Sequence, residues 1–352
     1  MSGARQSRGA GGRQRPTTRQ LERALGRLPD VAGPNPAIVD RRPLAYHSTF
    51  PIELLVARDA AGSARSLVFK DLSRSGPEDP GWRVRAPFLH DPLREIACYR
   101  DVLSRLGLST PRYLGSTVVP ASGRHWLFLE RLLGDPLWQM GDVEVWARAA
   151  RWLAKLHGRF EGRVEQLPGR LIVHDRRYWS RWLARARRRL AREDSPRSHG
   201  ELRWLLERAE RAVDWLVEQP ETLIHGDFHP SNVLVERRGA GTLIHPVDWE
   251  MAGIGPGILD LAALTSGRWE PQRRAAVLTA YRGALPRRCR PPDDGFRRSL
   301  QRCRLLLAVQ WLGWSAGWDP PPEHAHDWLA AAFTLAGHCP APIAADGGEP
   351  AP

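Results

Sequence analysis

The most informative stretch of this 352-residue sequence covers residues 223–263 and reads LIHGDFHPSNVLVERRGAGTLIHPVDWEMAGIGPGILDLAA. Short apolar runs bracket two polar loops in it, HGDFHPSN and DWEMAGIGPG. Buried strands that end in a polar loop are a common place for catalytic carboxylates. Asp227 and Asn232 are close enough in the chain for one loop to point both at a common site. Asp248 follows them, and the RRGAG turn in between predicts a single β-hairpin.

These residue types suit phosphoryl transfer, which needs oxygen ligands for Mg²⁺, a carboxylate for the attacking hydroxyl group and a cation for the nucleotide phosphates. Asn232 and Asp248 suit the metal, and Asp227 suits the base. Lys70 suits the phosphates, and Glu95 on the following predicted helix would hold that lysine in place. The sequence therefore favours a kinase that uses ATP as co-substrate and Mg²⁺ as cofactor.

Lysine usage supports the choice of Lys70. Among the 52 lysine and arginine residues only Lys70 and Lys155 are lysines. A compact ammonium and a planar guanidinium are not interchangeable, so a lysine kept inside a predicted strand calls for a reason. Lys155 lies in a predicted helix, where a side chain that points at water is the simpler interpretation.

The remaining sequence predicts a small β-rich part followed by a larger helical part. Apolar and turn residues predict strands over 45–58, 66–72 and 125–134, the first two joined by a DAAGSA turn. Three- and four-residue apolar spacing predicts helices that start near Asp91-Pro92 and Asp142, and further helices over 178–193 and 201–218.

The motifs HGDFHPSN at 225–232 and VDWEMAGIGPGILDLA at 247–262 resemble those of the aminoglycoside phosphotransferase and choline kinase-like family, distant relatives of protein kinases. The resemblance implies an α+β, bilobal protein-kinase-like fold, with a small antiparallel-sheet N-lobe and a larger, mainly helical C-lobe. It implies a small-molecule kinase whose acceptor is a hydroxyl group. It assigns the base to Asp227, the metal to Asn232 and Asp248, and a structural, loop-bracing role to Asp260.

The same resemblance implies the nucleotide contacts in the N-lobe. It carries the strand lysine and the helix glutamate over to Lys70 and Glu95. It places a hinge after FLERL, with the backbone around Glu130 to Leu132 meeting adenine. The first hairpin has HSTFP in place of a glycine-rich loop. Since the family often uses Ser or Asn there, the resemblance assigns phosphate contacts to the pair Ser48 and Thr49.

The expected organisation has four segments. They are a disordered basic arm (1–30), an N-lobe with the nucleotide-binding sheet and a helix (31–133), a helical C-lobe with the catalytic and metal loops (134–339), and a disordered tail (340–352). No apolar run reaches the roughly 18 residues of a membrane helix, and no secretory signal is visible. Four scattered cysteines fit a reducing compartment, so we expect a cytoplasmic protein without a membrane partner.

The net charge of +13 raises the question of an anionic partner. The arginines are spread along the whole chain, and no helix-turn-helix, zinc-finger or RNA-recognition motif accompanies them. The sequence therefore does not favour a nucleic-acid partner, and it gives no expectation for the oligomeric state.

The acceptor is the most open question. A pocket for polycationic aminoglycosides should present carboxylates, whereas residues 268–304 contain many arginines and few acids. We therefore expect a neutral or anionic hydroxyl compound, either a metabolite or an antibiotic. An aminoglycoside or choline-type cation is the alternative, and Trp311, Trp314 and Trp318 could form a cage for it, although core packing is the commoner role of such a stripe.

Other classes of function fit less well. His225, Asp227 and His229 alternate as metal ligands do, but the further Asp and His clusters of metallophosphoesterases are missing. The short interval from Asp248 to Asp260 leaves no activation segment for a peptide substrate. A kinase-fold protein that binds nucleotide without turnover stays open as an alternative, although such proteins usually lose the base or a metal ligand.

Overall fold

The computed structural model describes residues 15–28, 31, 35–44, 50–73, 86–192, 198–239, 241–290, 292–314 and 326–337. The chain divides into two compact units. Unit 1 comprises Met1–Val173 and Glu221–Cys289, and unit 2 comprises His174–Pro220 and Arg290–Pro352. The expected lobe boundary after residue 133 falls inside unit 1, and it stays a prediction. The tail 340–352 and the first 14 residues of the expected arm lie outside the described residues.

The described part of unit 1 contains a five-stranded antiparallel sheet in the order β1-β2-β3-β5-β4. The strands are β1 (Ala37–Pro43), β2 (Ile52–Arg58), β3 (Ala64–Asp71), β4 (Tyr113–Val119) and β5 (Arg124–Glu130). The DAAGSA turn joins β2 to β3, where the Asp59 carboxylate accepts the Ser63 N–H at 2.8 Å and Gly62 has a φ of 85°. In this register Lys70 lies opposite Ile52 of β2 and Leu127 of β5, so it belongs to a central strand.

Residues 18–25 correct the expectation of a disordered arm through residue 30. They form helix α1 (Thr18–Leu25), which starts with a capping box between Thr17 and Gln20. Leu21 and Leu25 are buried in one core cluster with residues of β2, β3 and β5. The apolar face that they form is the helix signal, and the surrounding Arg and Gly residues obscure it in the sequence.

Helix α2 (Pro92–Ala97) carries Glu95 and starts at Asp91, whose carboxylate accepts the Leu93 N–H at 3.0 Å. It continues as a wider π-helical turn (Cys98–Val102) and a 3₁₀ turn (Leu103–Arg105). The helix predicted near Asp91-Pro92 is thus confirmed, with a change of winding after one and a half turns.

The rest of unit 1 builds two three-stranded sheets and three helices. The sheets are β10-β9-β6 and β7-β11-β8. Their strands are β6 (Asp135–Pro136), β7 (Ile172–Val173), β8 (Thr222–Ile224), β9 (Val233–Arg238), β10 (Gly241–Pro246) and β11 (Gly253–Gly255). The helices are α3 (Val143–Phe160), α6 (Ile258–Leu264) and α7 (Pro271–Ala284). β9 and β10 pair antiparallel, which confirms the hairpin predicted between Asn232 and Asp248.

Unit 2 contains helices α4 (Arg176–Leu190), α5 (His199–Leu216), α8 (Asp293–Trp314) and α9 (Trp328–Leu335). It contains stacked tryptophan pairs. Trp182 stacks on Trp314 at 5.6 Å, and Trp311 stacks on Trp328 at 5.3 Å. Trp318 lies outside the described residues. Within the described chain, no helix combines the length and the apolar character that crossing a membrane requires.

Candidate active site

The catalytic-loop candidate runs from His225 to Asn232, between β8 and β9. The Asn232 amide nitrogen donates to the Asp227 carboxylate at 2.8 Å and to the Asp227 carbonyl oxygen at 3.0 Å. A 3₁₀ turn, Pro230–Asn232, closes the loop. The structure thus brings together two residues that the sequence placed on one loop, with the amide nitrogen facing the aspartate and the amide oxygen left for another ligand.

Asp260 holds the start of this loop in place through hydrogen bonds to its backbone. Its carboxylate accepts the backbone N–H of His225 at 2.6 Å and that of Gly226 at 2.9 Å. The same carboxylate lies 3.3 Å from Nε2 of His157, whose Nδ1 is 2.8 Å from the hydroxyl of Tyr281. Burial would raise the pKa of Asp260, but His157 and His225 outweigh it and lower this pKa. The loop-bracing contacts expected of Asp260 are present.

The second loop candidate, around Asp248, lies directly against the first. Nε2 of His225 is 2.9 Å from the Val247 carbonyl oxygen. Gly226 has a φ of 79°, and a Cβ atom there would collide with the Met251 carbonyl oxygen. Only glycine provides both the left-handed conformation and the space. The two polar loops of the sequence are therefore in direct contact.

Asp248 has a left-handed backbone, with φ 65° and ψ 62°. A short 3₁₀ turn, Trp249–Met251, follows it. For a residue other than glycine this conformation is unfavourable and persists only where the surroundings determine it. Here it directs the carboxylate to Lys70, whose Nζ lies 2.5 Å from Asp248 Oδ1.

Lys70 also pairs with Glu95, at 2.8 Å between Nζ and Oε2. The lysine is 4% exposed and the glutamate 2%, so the pair predicted from the sequence is present and buried. Burial alone would lower the pKa of Lys70, but the carboxylates of Asp248, Glu95 and Glu250 outweigh it and raise this pKa. The ammonium therefore stays charged, while burial raises the pKa of Glu95 against the influence of Lys70.

Negative charge is in excess around Asp227. Desolvation, together with the carboxylates of Asp248 and Glu250, raises the pKa of Asp227 to about 7. Since 39% of this side chain is exposed, water offsets part of the desolvation. The neighbouring carboxylates are therefore the main reason for the raised pKa of Asp227. Such crowding of carboxylates is what a divalent cation relieves, so the oxygen donors of Asn232 and Asp248 beside Asp227 fit one.

The protein alone supplies few metal ligands. Among the described residues there is no group of three or more His, Cys, Asp or Glu side chains arranged to hold a metal ion. Mg²⁺ usually takes one or two carboxylates and completes its shell with water and substrate phosphates. The site therefore fits a metal ion that is bound together with a nucleotide. Burial lowers the pKa of His229 to about 4, so this imidazole is a neutral neighbour of Asp227.

The remaining predicted contacts are less defined. Ser48 and Thr49 lie outside the described residues. Glu130 ends β5, where its backbone N–H donates to the Arg112 carbonyl at 2.9 Å. Leu132 follows it and is partly exposed. A Cβ at Gly134 would lie 2.9 Å from the Val235 carbonyl oxygen, so the segment after β5 passes close to β9. The adenine contacts of Glu130 and Leu132 stay predictions.

Sequence reasoning missed two residues beside this site. Arg94 is buried next to Glu95 and donates to the Glu250 carbonyl at 2.8 Å. The Glu250 side chain is buried too, and its charge contributes to the raised pKa values of Lys70 and Asp227. Glu250 lies two residues after Asp248, and this position was a usable sequence signal for a residue beside the site. Nothing in the sequence marks Arg94 among 50 arginines, because the Glu250 carbonyl that it contacts lies 156 positions away in the chain.

Comparisons with known proteins concern the family and the fold. The sequence profile of the phosphotransferase enzyme family, APH, matches residues 62–292. No curated protein matches the sequence. Among solved structures, APH(2″)-IIIa in complex with GDP and kanamycin aligns over 91% of this chain and 98% of its own, with a TM-score of 0.60 and 16% identity.

Two further structures are similar. A choline/ethanolamine kinase family protein from Mesorhizobium loti aligns over 91% of this chain and 92% of its own, with a TM-score of 0.54 and 17% identity. A macrolide 2′-phosphotransferase from Brachybacterium faecium aligns over 90% of this chain and 97% of its own, with a TM-score of 0.51 and 18% identity. At these identities the likeness concerns the fold, and it confirms the expected α+β, kinase-like architecture.

Proposed function

The chain belongs to the phosphotransferase enzyme family and is a small-molecule kinase with a hydroxyl acceptor, and we propose that it uses Mg²⁺ and ATP with Asp227 as base. One observation carries the proposal. A single buried ammonium, Lys70, contacts the helix carboxylate Glu95 at 2.8 Å and the loop carboxylate Asp248 at 2.5 Å. These contacts support a role of Lys70 on the nucleotide phosphates, of Glu95 as its anchor and of Asp248 as a metal ligand.

Each residue has a role in the reaction. Lys70 would bind the nucleotide phosphates. Glu95 would keep this lysine in place, and phosphate oxygens would take the position beside it that Asp248 has now. Asn232 and Asp248 would hold Mg²⁺, which when bound neutralises charge on the transferred phosphoryl group. Asp227 would orient the acceptor hydroxyl and take its proton as the new P–O bond forms and the bond to ADP breaks. Asn232 would keep the carboxylate of Asp227 in this orientation.

The acceptor is proposed to be a neutral or anionic hydroxyl compound. In unit 2 the carboxylates of Glu210 and Asp214 pair with Arg187 and Arg176, so they do not offer their full charge to a polycation. Two tryptophans proposed for a cation cage, Trp311 and Trp314, each have another ring stacked on one face. Both observations favour packing and neutralised charge over recognition of an aminoglycoside or a choline-type cation.

The test is ADP release from Mg–ATP with a panel of hydroxyl compounds, namely aminoglycosides, macrolides, nucleosides, choline and simple sugars. Asp227→Asn runs alongside, and Asp101→Asn, an aspartate that pairs with its neighbour Arg100 outside the site, is the matched control. We expect acceptor-dependent release that disappears in Asp227→Asn and persists in the control. Full activity of Asp227→Asn would refute the base. Efficient turnover of aminoglycosides would refute the proposed acceptor class and leave the kinase mechanism intact.

A further inference from the structure

Arg94 is a buried arginine beside the site, only 5% exposed. A buried guanidinium is costly unless its donors are satisfied. Nη1 of Arg94 donates to the carbonyl oxygens of Leu89 and Glu250, both at 2.8 Å, and Nε donates to that of Arg170 at 3.1 Å. These three acceptors are backbone carbonyls, so these contacts depend on the course of the main chain.

The three carbonyls belong to three different segments of unit 1. Leu89 precedes helix α2, Glu250 lies in the turn directly after Asp248, and Arg170 precedes β7. A second contact runs the other way, since the Arg170 guanidinium lies 3.3 Å from the carboxylate of Asp91, which caps α2. The hydrogen bond from Arg94 to the Glu250 carbonyl thus links the first turns of the helix that carries Glu95 to the segment that carries Asp248.

These contacts close a ring. Glu95 holds Lys70, Lys70 contacts Asp248, and the turn after Asp248 is held by Arg94, the neighbour of Glu95 on the same helix. Of the two links in this ring between the helix and the metal loop, one runs through Arg94 and the other through Lys70. The link through Lys70 is the one that the nucleotide phosphates must share. The left-handed backbone of Asp248 needs support that stays in place while they bind.

We propose that Arg94 is a positioning residue for phosphoryl transfer, which holds the Asp248 loop in register with the Lys70–Glu95 pair through the Glu250 carbonyl. The proposal rests on the metal-binding role of Asp248 proposed above. Its readout is therefore the Mg²⁺ requirement of nucleotide binding, which needs no acceptor and no turnover. If Arg94 only stabilises the fold, its replacement should lower the melting temperature and leave the Mg²⁺ requirement of nucleotide binding unchanged.

The experiment measures binding of a fluorescent ATP analogue to the full chain as a function of Mg²⁺ concentration. It compares wild type, Arg94→Met, Arg94→Lys and the control Arg100→Met, an arginine on the same helical segment that is half exposed and pairs with Asp101. In Arg94→Met we expect the Mg²⁺ concentration at half-saturation to rise by about tenfold, as when a supporting partner of a metal ligand is lost. Arg94→Lys should lie in between, and Arg100→Met should match wild type.

A wild-type Mg²⁺ requirement in both Arg94 variants, with a lowered melting temperature, would overturn the proposal and leave Arg94 a structural residue. If Arg94→Met does not fold, Arg94→Lys decides, since it keeps the charge but lacks the planar fork. Nucleotide binding by wild type that does not depend on Mg²⁺ would refute the role of Asp248 and this proposal with it. Mg²⁺-dependent binding without turnover would refute only the proposed reaction.

Discussion

Unit 1 and unit 2 hold their parts together in different ways. The loops of unit 1 are fixed by hydrogen bonds to backbone atoms, as between Asp260 and the N–H groups of His225 and Gly226. Unit 2 contains stacked rings, such as Trp182 on Trp314, and exposed ion pairs, such as Arg187 with Glu210.

This difference indicates which region needs accuracy. Hydrogen bonds depend steeply on distance and angle, so they place a carboxylate to within a few tenths of an ångström. Apolar packing accepts changes of shape when volume is kept. We therefore expect substitutions around the catalytic loops to change the chemistry, and substitutions in unit 2 to change mainly the stability.

The largest effect should come from Asp248→Ala, which removes the proposed metal ligand and a partner of Lys70. We expect the Kd for Mg–ATP to rise by about 100-fold, measured by titration calorimetry. The matched control is Asp214→Ala in unit 2, whose carboxylate pairs with Arg176 at the surface. Similar losses of nucleotide binding in both variants would remove the distinction between the two units.

Asp260→Asn should come next, as a loss of stability. The carboxylate accepts two backbone N–H groups inside the protein, and removing one side of a buried charged network costs about 3 kcal/mol. The measurement is the free energy of unfolding in denaturant at neutral pH, with Asp101→Asn as the exposed control.

The pH dependence of this loss has a definite sign. Because the folded-state pKa of Asp260 is lowered, its contribution is present above the ordinary aspartate pKa and disappears as the pH falls through the folded-state value. The stability difference between wild type and Asp260→Asn should therefore shrink under acid conditions. A difference that stays constant down to low pH would contradict this assignment.

The sequence predicted the parts of unit 1 that depend on local spacing. Asp227 and Asn232 share one loop, and the hairpin β9–β10 carries the chain from there to Asp248, so turn residues were enough to place them. Lys70 was found because this chain uses lysine so rarely. Asp260 came from the resemblance, since its partners, the N–H groups of two loop residues, leave no pattern of their own.

The rest depends on contacts between distant segments. Arg94 and Glu250 are 156 positions apart and meet through a carbonyl group, which any residue would supply. The helix α1 was missed because its apolar residues Leu21, Ala24 and Leu25 gain their partners only when the sheet is formed. Sequence patterns report which residues can act, whereas tertiary hydrogen bonds decide where they are held.

A smaller effect is expected from Trp182→Leu in unit 2. The change removes the stack on Trp314 and leaves part of a buried volume empty, which should cost about 2–3 kcal/mol of stability. The measurements are the melting temperature and the turnover per folded molecule, which should stay within about twofold of wild type. A large change in the acceptor KM without a loss of stability would place this tryptophan among the acceptor contacts and break the comparison.

The smallest effect should come from Arg187→Ala. Arg187 lies on helix α4 and forms an exposed ion pair with Glu210 on helix α5. Its side chain is 61% exposed, and such a pair contributes about 0.5 kcal/mol or less, because water and salt screen it. The double-mutant cycle with Glu210→Ala measures this coupling through unfolding free energies. The same variant tests the arginine-rich face of α4, since an anionic acceptor held there would show a raised KM at unchanged stability, with the KM difference declining as salt is added. An unchanged KM would leave the arginines of α4 as a solvated surface whose charge serves solubility. The precise placement of side chains would then be a property of the loops of unit 1.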